Sequence, residues 1–184
     1  DFIEKLIKNK PDKVFNALHG RFGEDGSIQG LLEHLKIPYT HSGILSSAIA
    51  MDKLTSKKIF KEANISSPEY LVIKTVKDFQ SSKIGYPCVV KPNNEGSSVG
   101  VYIFNEPKKS DEDTVVTLLK KYSFLILEKY IPGSDISFIS FVENGKVYSV
   151  CYLNEINSED MKGRVYGKGF KTYIRMYPKE KIGC

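Results

Sequence analysis

Cys88-Val89-Val90-Lys91-Pro92-Asn93-Asn94-Glu95-Gly96-Ser97-Ser98-Val99-Gly100-Val101-Tyr102-Ile103-Phe104 is the stretch that decides how this chain folds. Its first apolar run ends at Lys91-Pro92 and its second begins only after Gly100, so the spacing predicts two strands and not one. The residues from Asn93 to Ser98 are polar, small or glycine, which suits a flexible loop between antiparallel neighbours. Small residues expose backbone N–H groups, and the Lys91 ammonium stands at the edge of the loop, so the segment is a candidate phosphate site. It is not a Walker A loop, because it lacks the Gly-Lys-Ser/Thr ending and no helix follows at once. On spacing alone, a plain hairpin loop is an equally good reading.

Upstream, Val14 to Leu18 reads as a short buried strand. A glycine-rich turn follows, and Ile28, Leu31, Leu32 and Leu35 then fall on one stripe of a helix. A second helical segment is expected from about Ser47 to Ala63, with Leu54, Ile59, Phe60 and Ala63 on its buried side and Asn64 at its end. Tyr70 to Ile73 reads as a strand. Downstream, Thr114 to Lys121 is a short helix and Phe124 to Glu128 a buried strand. Residues 136–141 alternate polar and apolar, Asn144-Gly145 is a strong hairpin signal, and Val147 to Leu153 runs back. The tail after Asn157 is polar and poorly patterned, and Gly167-Lys168-Gly169 within it reads as a turn. Strands alternating with helices and then giving way to hairpins predict an α/β piece followed by α+β pieces.

Two further segments sit where ligands bind. His19-Gly20-Arg21-Phe22-Gly23-Glu24-Asp25-Gly26 lies between a predicted strand and a helix, the place where open α/β sheets put their sites. Glu24 and Asp25 suit a helix start equally well, where carboxylates accept orphan N–H groups, and a lone His19 is more often structural than catalytic. Glu128-Lys129-Tyr130-Ile131-Pro132-Gly133 ends a strand with backbone groups and an aromatic that can receive a flat base; a simple strand exit is its other reading.

Composition narrows the classes. The 184 residues are 41% apolar and 11% aromatic, enough for a packed core, which argues against a disordered chain. The net charge of +5 arises from 27 basic against 22 acidic residues scattered along the chain, compatible with anionic small ligands and not a nucleic-acid footprint. No apolar run approaches the roughly 20 residues that span a bilayer, and the first ten residues do not have the pattern of a signal peptide, so a cytoplasmic protein without a membrane partner is expected. Cys88, Cys151 and Cys184 show no zinc or redox spacing; the first two read as small buried side chains.

Taken in order, HGRFGEDGSIQG (19–30), IPYTHSG (37–43), AMDK (50–53), VVKPNNEGSSVG (89–100) and LEKYIPG (127–133) resemble the segments of the D-alanine–D-alanine ligases. The resemblance implies a partial ATP-grasp fold, α/β then α+β, with the end of an N-terminal substrate domain at 1–42, a central ATP-grasp domain at 43–128 and the beginning of a C-terminal one at 129–184. It implies that Lys53 and Lys91 contact the phosphates of ATP, and that Glu95, Gly96, Ser97, Ser98 and Val99 form a lid over them. Ser97 matches a serine that contacts the first D-alanine through a network with His19. Glu128 matches the residue at the adenine amino group, and Lys129, Tyr130 and Ile131 match the hinge that pairs with the base. Position 135 matches a ribose-binding glutamate but holds Asp135, one methylene shorter, a gap that a water can bridge. Tyr166 corresponds to a loop tyrosine that closes over the substrates, with a plain surface aromatic as its other reading.

The implied reaction has ATP phosphorylate one D-alanine carboxylate and a second D-alanine's amine attack the acyl phosphate, giving the dipeptide for peptidoglycan, cell-wall biogenesis and cell shape. Lysines and lid amides would stabilise the transferred charge, with two magnesium (or manganese) ions bridging it. The family's metal-binding Asp, Glu and Asn, and the arginine at its intermediate, match nothing in this chain. These residues by themselves are therefore expected to bind nucleotide weakly and to form no dipeptide. The resemblance also implies a homodimer. Two other readings are a non-catalytic fragment that keeps only nucleotide-binding elements, and a ligase that joins D-lactate instead of a second D-alanine.

Overall fold

The computed structural model describes residues 2–133 together with the backbone of 136–143 and 146–154. It divides into two units, Asp1–Ile131 and Pro132–Cys184. The larger unit opens with α1 (Phe2–Asn9) and α2 (Ser27–His34), then α3 (Ile44–Met51) and α4 (Lys53–Glu62). Strand β1 (Tyr70–Ile73), α5 (Val76–Gln80), β2 (Cys88–Pro92), β3 (Tyr102–Phe104), α6 (Lys109–Lys121) and β4 (Leu125–Lys129) complete it. In the second unit β5 (Ile136–Glu143) and β6 (Lys146–Asn154) pair antiparallel, with a register shift between Ile139 and Ser140. The strands thus flank the expected turn at Asn144-Gly145. That turn, Asp135, Tyr166, Cys184 and the tail after Asn157 lie outside the described residues.

The four strands of the larger unit form one antiparallel sheet in the order β1-β4-β2-β3. The two apolar runs of the opening stretch become the hairpin neighbours β2 and β3, with Cys88 opposite Phe104 and Val90 opposite Tyr102. Strand side chains alternate between faces. One face presents Ile73, Cys88, Val90, Phe104, Leu125 and Leu127, which pack with Phe79, Ile84, Val115 and Leu118 of the α5 and α6 region into the main core. By the same alternation Lys91, Ile126, Val89 and Glu128 face the other way, and the register sets Tyr70 and Val89 on either side of Glu128. The polar chemistry of the sheet is therefore separated from its core by the pleat alone. A smaller core joins Leu6, Ile28, Leu32 and Ile37 near the N-terminus.

Four expectations are corrected. Val14–Leu18 is not a buried strand: Val14 makes a single parallel bridge to Tyr39, and Phe15 and Leu18 are exposed. Asn16 ends the pairing, since its side-chain oxygen accepts the Leu18 N–H and its own N–H turns to the Thr40 hydroxyl. The helix expected over 47–63 is two helices, because Asp52 adopts extended backbone and its carboxylate accepts the Thr55 N–H at 2.8 Å, capping α4 afresh. The expected buried side also differs: Ile59, Phe60 and Ala63 are exposed, and α4 buries Lys57. Asn64, at φ 55, does end the segment. Helix α6 begins five residues before the predicted Thr114, where Asp111 accepts the Lys108 N–H. Helices α1 and α5 were not expected; α5 is marked by a Thr75–Asp78 capping box.

Gly100 closes the loop after β2 at φ 72, and a Cβ there would stand 2.8 Å from Pro92 Cγ. Gly100→Ala is expected to cost about 1–3 kcal/mol in urea unfolding, since a left-handed backbone and an overlap must both be accommodated. Gly30→Ala, on α2 with only an ordinary contact at 3.7 Å, is expected instead to gain about 0.5–1 kcal/mol. Equal effects at the two positions would contradict this account of the loop.

Candidate functional site

The polar face of the sheet carries a chain of charges. Glu128 in β4 is buried, at 4% exposure. Its Oε2 lies 2.6 Å from Lys91 Nζ, supplied by the last turn of the pleat in β2. Its Oε1 lies 3.0 Å from Lys57 Nζ on α4, a charge contact not aligned as a hydrogen bond. Lys57 is itself buried, donates to the Pro68 carbonyl at 3.1 Å, and stands 4.9 Å above the Tyr70 ring.

Lys53 enters from the start of α4. Its Nζ donates to the carbonyls of Asn93, at 3.3 Å, and of Glu95, so the first residue of the helix is tied to the loop after β2. Burial, and then the neighbouring Lys91 ammonium, hold Lys53 below the ordinary lysine range. Two like charges are thus held near one another beside a loop of small residues, an arrangement that an anion would relieve.

The loop is anchored at its near end. Glu95 accepts the Tyr122 hydroxyl at 2.9 Å, and buried Asn93 bonds the Leu54 N–H and the Asp52 carboxylate. Beyond Glu95 the backbone turns tightly: Ser97 and Ser98 take φ 50 and 59, and the Val99 N–H donates to the Gly96 carbonyl at 3.0 Å. A Cβ on Gly96 would lie 3.5 Å from Gly20 Cα and from Glu24 Oε2, so the loop rests against the turn that follows His19. Sequence segments far apart, 19–26 and 95–99, are therefore neighbours.

In that turn the carboxylates serve the backbone. Glu24 accepts the Gly20 N–H and lies 3.9 Å from exposed His19. Asp25 accepts from Phe22 and Ser27 at 2.9 and 3.0 Å. Burial pushes the Asp25 carboxyl up, but those N–H donors outweigh it and hold it below the usual range. Between this turn and the loop lies a cleft of about 450 Å³ lined by Arg21, Asp25, Met51, Asn94, Glu95 and Lys121, among others. Lys91 and Glu128, which are paired with each other, are not part of its lining.

At the end of β4 the Lys129 and Tyr130 N–H groups donate to the carbonyls of Glu69 and Pro87, and Ile131 is exposed. Among the described residues no group of three or more His, Cys, Asp or Glu could hold a metal ion. The Glu128 carboxylate is already shared between the Lys57 and Lys91 ammoniums, and among the described residues no second carboxylate joins it, so these residues do not fit magnesium. No described helix is long and apolar enough to cross a membrane.

Sequence reasoning missed Lys57 and Asn93. Lys57 had a signal: it lies four residues after Lys53, one turn along the same helix face. Asn93 had none, because its role depends on a partner about forty positions earlier.

Comparison with known proteins matches residues 3–42 to a model of the D-ala D-ala ligase N-terminus and 59–178 to one of the D-ala D-ala ligase C-terminus. The chain is 48% identical over 143 residues to a D-alanine–D-alanine ligase of Pelagibacter ubique, covering 72% of this chain and 46% of that protein. It therefore spans about half the length of the curated relatives it matches. Among solved structures it is similar to the Bacillus anthracis D-alanine–D-alanine ligase complexed with ATP, at TM-score 0.66 and 36% identity over 83% of this chain and 51% of that one. It is also similar to the VanG D-Ala:D-Ser ligase of Enterococcus faecalis, at TM-score 0.67 and 29% identity over 78% and 43%. With a C-terminus match over most of its length and a sheet and helices that superpose on these enzymes, the chain belongs to the D-alanine–D-alanine ligase family and carries part of an ATP-grasp fold of the α+β type.

Proposed function

We propose that this chain supplies the triphosphate grip of an enzyme that joins two D-alanines at the expense of ATP, a step of peptidoglycan synthesis in the cytoplasm. One observation carries the reading: Lys53, from the start of a helix, is tied through its ammonium to the Asn93 and Glu95 carbonyls of the glycine-serine loop, and Lys91 stands where strand β2 runs into that loop. Phosphate oxygens offer both ammoniums a partner that a hairpin loop alone would not need.

In this reading Lys53 and Lys91 bind the phosphates while Glu95, Gly96, Ser97, Ser98 and Val99 cover them. Glu128 accepts from the adenine amino group, Lys129, Tyr130 and Ile131 border the base, and Asp135 reaches the ribose. His19 and Ser97 position the first D-alanine, whose carboxylate takes the γ-phosphoryl group before the second amine displaces it, and Tyr166 closes over both. The ammoniums and loop N–H groups stabilise charge on the transferred oxygens. Magnesium belongs to the reaction in this reading, but the described residues provide it no ligand set. A homodimer and the division at residues 42 and 128 are part of the same proposal. The similarity to a protein named a D-Ala:D-Ser ligase favours a second reading in which the attacking group belongs to another small D-acid.

Lys91→Ala is expected to weaken ATP binding by about 1–3 kcal/mol, the scale of one charge-assisted contact. Titration calorimetry with ATP and magnesium, on this chain and on one of the relatives' length, measures it. An unchanged affinity would put the phosphates elsewhere.

A further inference from the structure

Glu128 divides its carboxylate between two lysines that are not equivalent. Lys57 has 7% of its side chain exposed and is fixed by the Pro68 carbonyl and the Tyr70 ring. Lys91 retains 21% exposure and stands where β2 runs into the loop. A polyphosphate that captures Lys91 must take it away from Glu128. A buried carboxylate stripped of its cation is strongly disfavoured, so this exchange would fail if Lys91 were Glu128's sole partner.

We propose that Lys57 is the positioning residue that permits the exchange: it keeps buried Glu128 compensated, so that Lys91 can leave for the phosphate oxygens of a nucleoside triphosphate. Lys57 touches no ligand. It acts through Glu128, which stays in place as an acceptor after Lys91 has moved. The helix explains why one element does both jobs, because Lys53 and Lys57 are one turn apart on α4, the first directed to the loop carbonyls and the second to the sheet. The proposal rests on the nucleotide reading of Lys91.

The test is calorimetric titration of the chain with sodium tripolyphosphate, which has no base to complicate the reading, alongside a thermal melt of each variant. Lys57→Met leaves Glu128 paired with Lys91, so no buried charge is orphaned and the fold is retained. It is expected to weaken tripolyphosphate about 10-fold, because Lys91 is now detained. Lys57→Arg keeps the cation and should stay within about 3-fold of wild type. The decisive variant is Lys57→Met/Glu128→Gln: with no carboxylate to detain Lys91, affinity should return to within about 3-fold of wild type. A merely structural Lys57 predicts a loss that follows the lowered melting temperature and no recovery in the double variant, and either that pattern or an unaffected Lys57→Met overturns the proposal. Failure of the wild-type chain to bind tripolyphosphate and ATP removes the nucleotide reading and this inference with it. Normal wild-type binding with an unaffected Lys57→Met removes this inference alone.

Discussion

Glu128→Ala is expected to destabilise the larger unit by about 3–5 kcal/mol, the cost of breaking a buried ion pair by removing one partner. The reason lies in what the substitution leaves behind. Lys57 would remain buried, at 6% exposure, with a carbonyl and an aromatic face beside it but no carboxylate to balance its charge. Lys91→Ala breaks a shorter contact, 2.6 Å against 3.0 Å, yet should cost much less, at most about 1.5 kcal/mol, because Glu128 keeps Lys57. Distance thus predicts one order of effects and burial the opposite. Domains of this size are stable by about 5–15 kcal/mol, so Glu128→Ala should shift the urea midpoint visibly while Lys91→Ala leaves it nearly in place. If the two variants unfold together, Glu128 is not the hub of this face.

Runs such as Cys88-Val89-Val90 and Leu125 to Leu127 declared themselves because strand burial on both faces demands continuous apolar residues, and they form β2 and β4. Lys91 and Glu128 were legible as candidates through the family's segments, but their direct pairing was not, since it depends on the β2–β4 register across residues 88–129. Lys57 was passed over for another reason, despite its helical spacing from Lys53. A lysine on a helix reads as a solvated face, and only the placement of α4 over Tyr70 and Glu128 makes burial tolerable there. Ile59 and Phe60 failed in the complementary sense: their spacing is that of a buried stripe, yet they are exposed. The Val14–Leu18 segment failed because a single asparagine diverted backbone hydrogen bonds, a local competition that hydrophobic patterning does not register.

The second large effect is expected at Asn93, where about 2–4 kcal/mol should be lost in Asn93→Ala. Asn93 is 5% exposed, and its amide oxygen accepts the Leu54 N–H at 2.9 Å, one of the first-turn donors that a helix cannot satisfy internally. Its amide nitrogen donates to Asp52 Oδ2 at 2.7 Å, while Asp52 Oδ1 caps Thr55. One side chain therefore fastens the start of α4, and with it Lys53, to the loop after β2. Burial pushes the Asp52 carboxyl up, but bonds from Thr55, Asn93 and Asn94 outweigh it and hold it below its usual range. A depressed carboxyl stabilises the fold above its unfolded value and loses that contribution as acid carries the pH down through the folded one. Asn93→Ala should shrink this acid-dependent part of the stability as well as its total, and should free the Leu54 N–H to exchange with solvent. Asn93→Asp, nearly the same shape, should fare no better, because it sets a second carboxylate against Asp52. Hydrogen exchange at Leu54 and urea unfolding at two pH values measure both effects. A loss under about 0.5 kcal/mol with the Leu54 amide still protected would mean that α4 is held to the sheet by Lys57 and Glu128 alone.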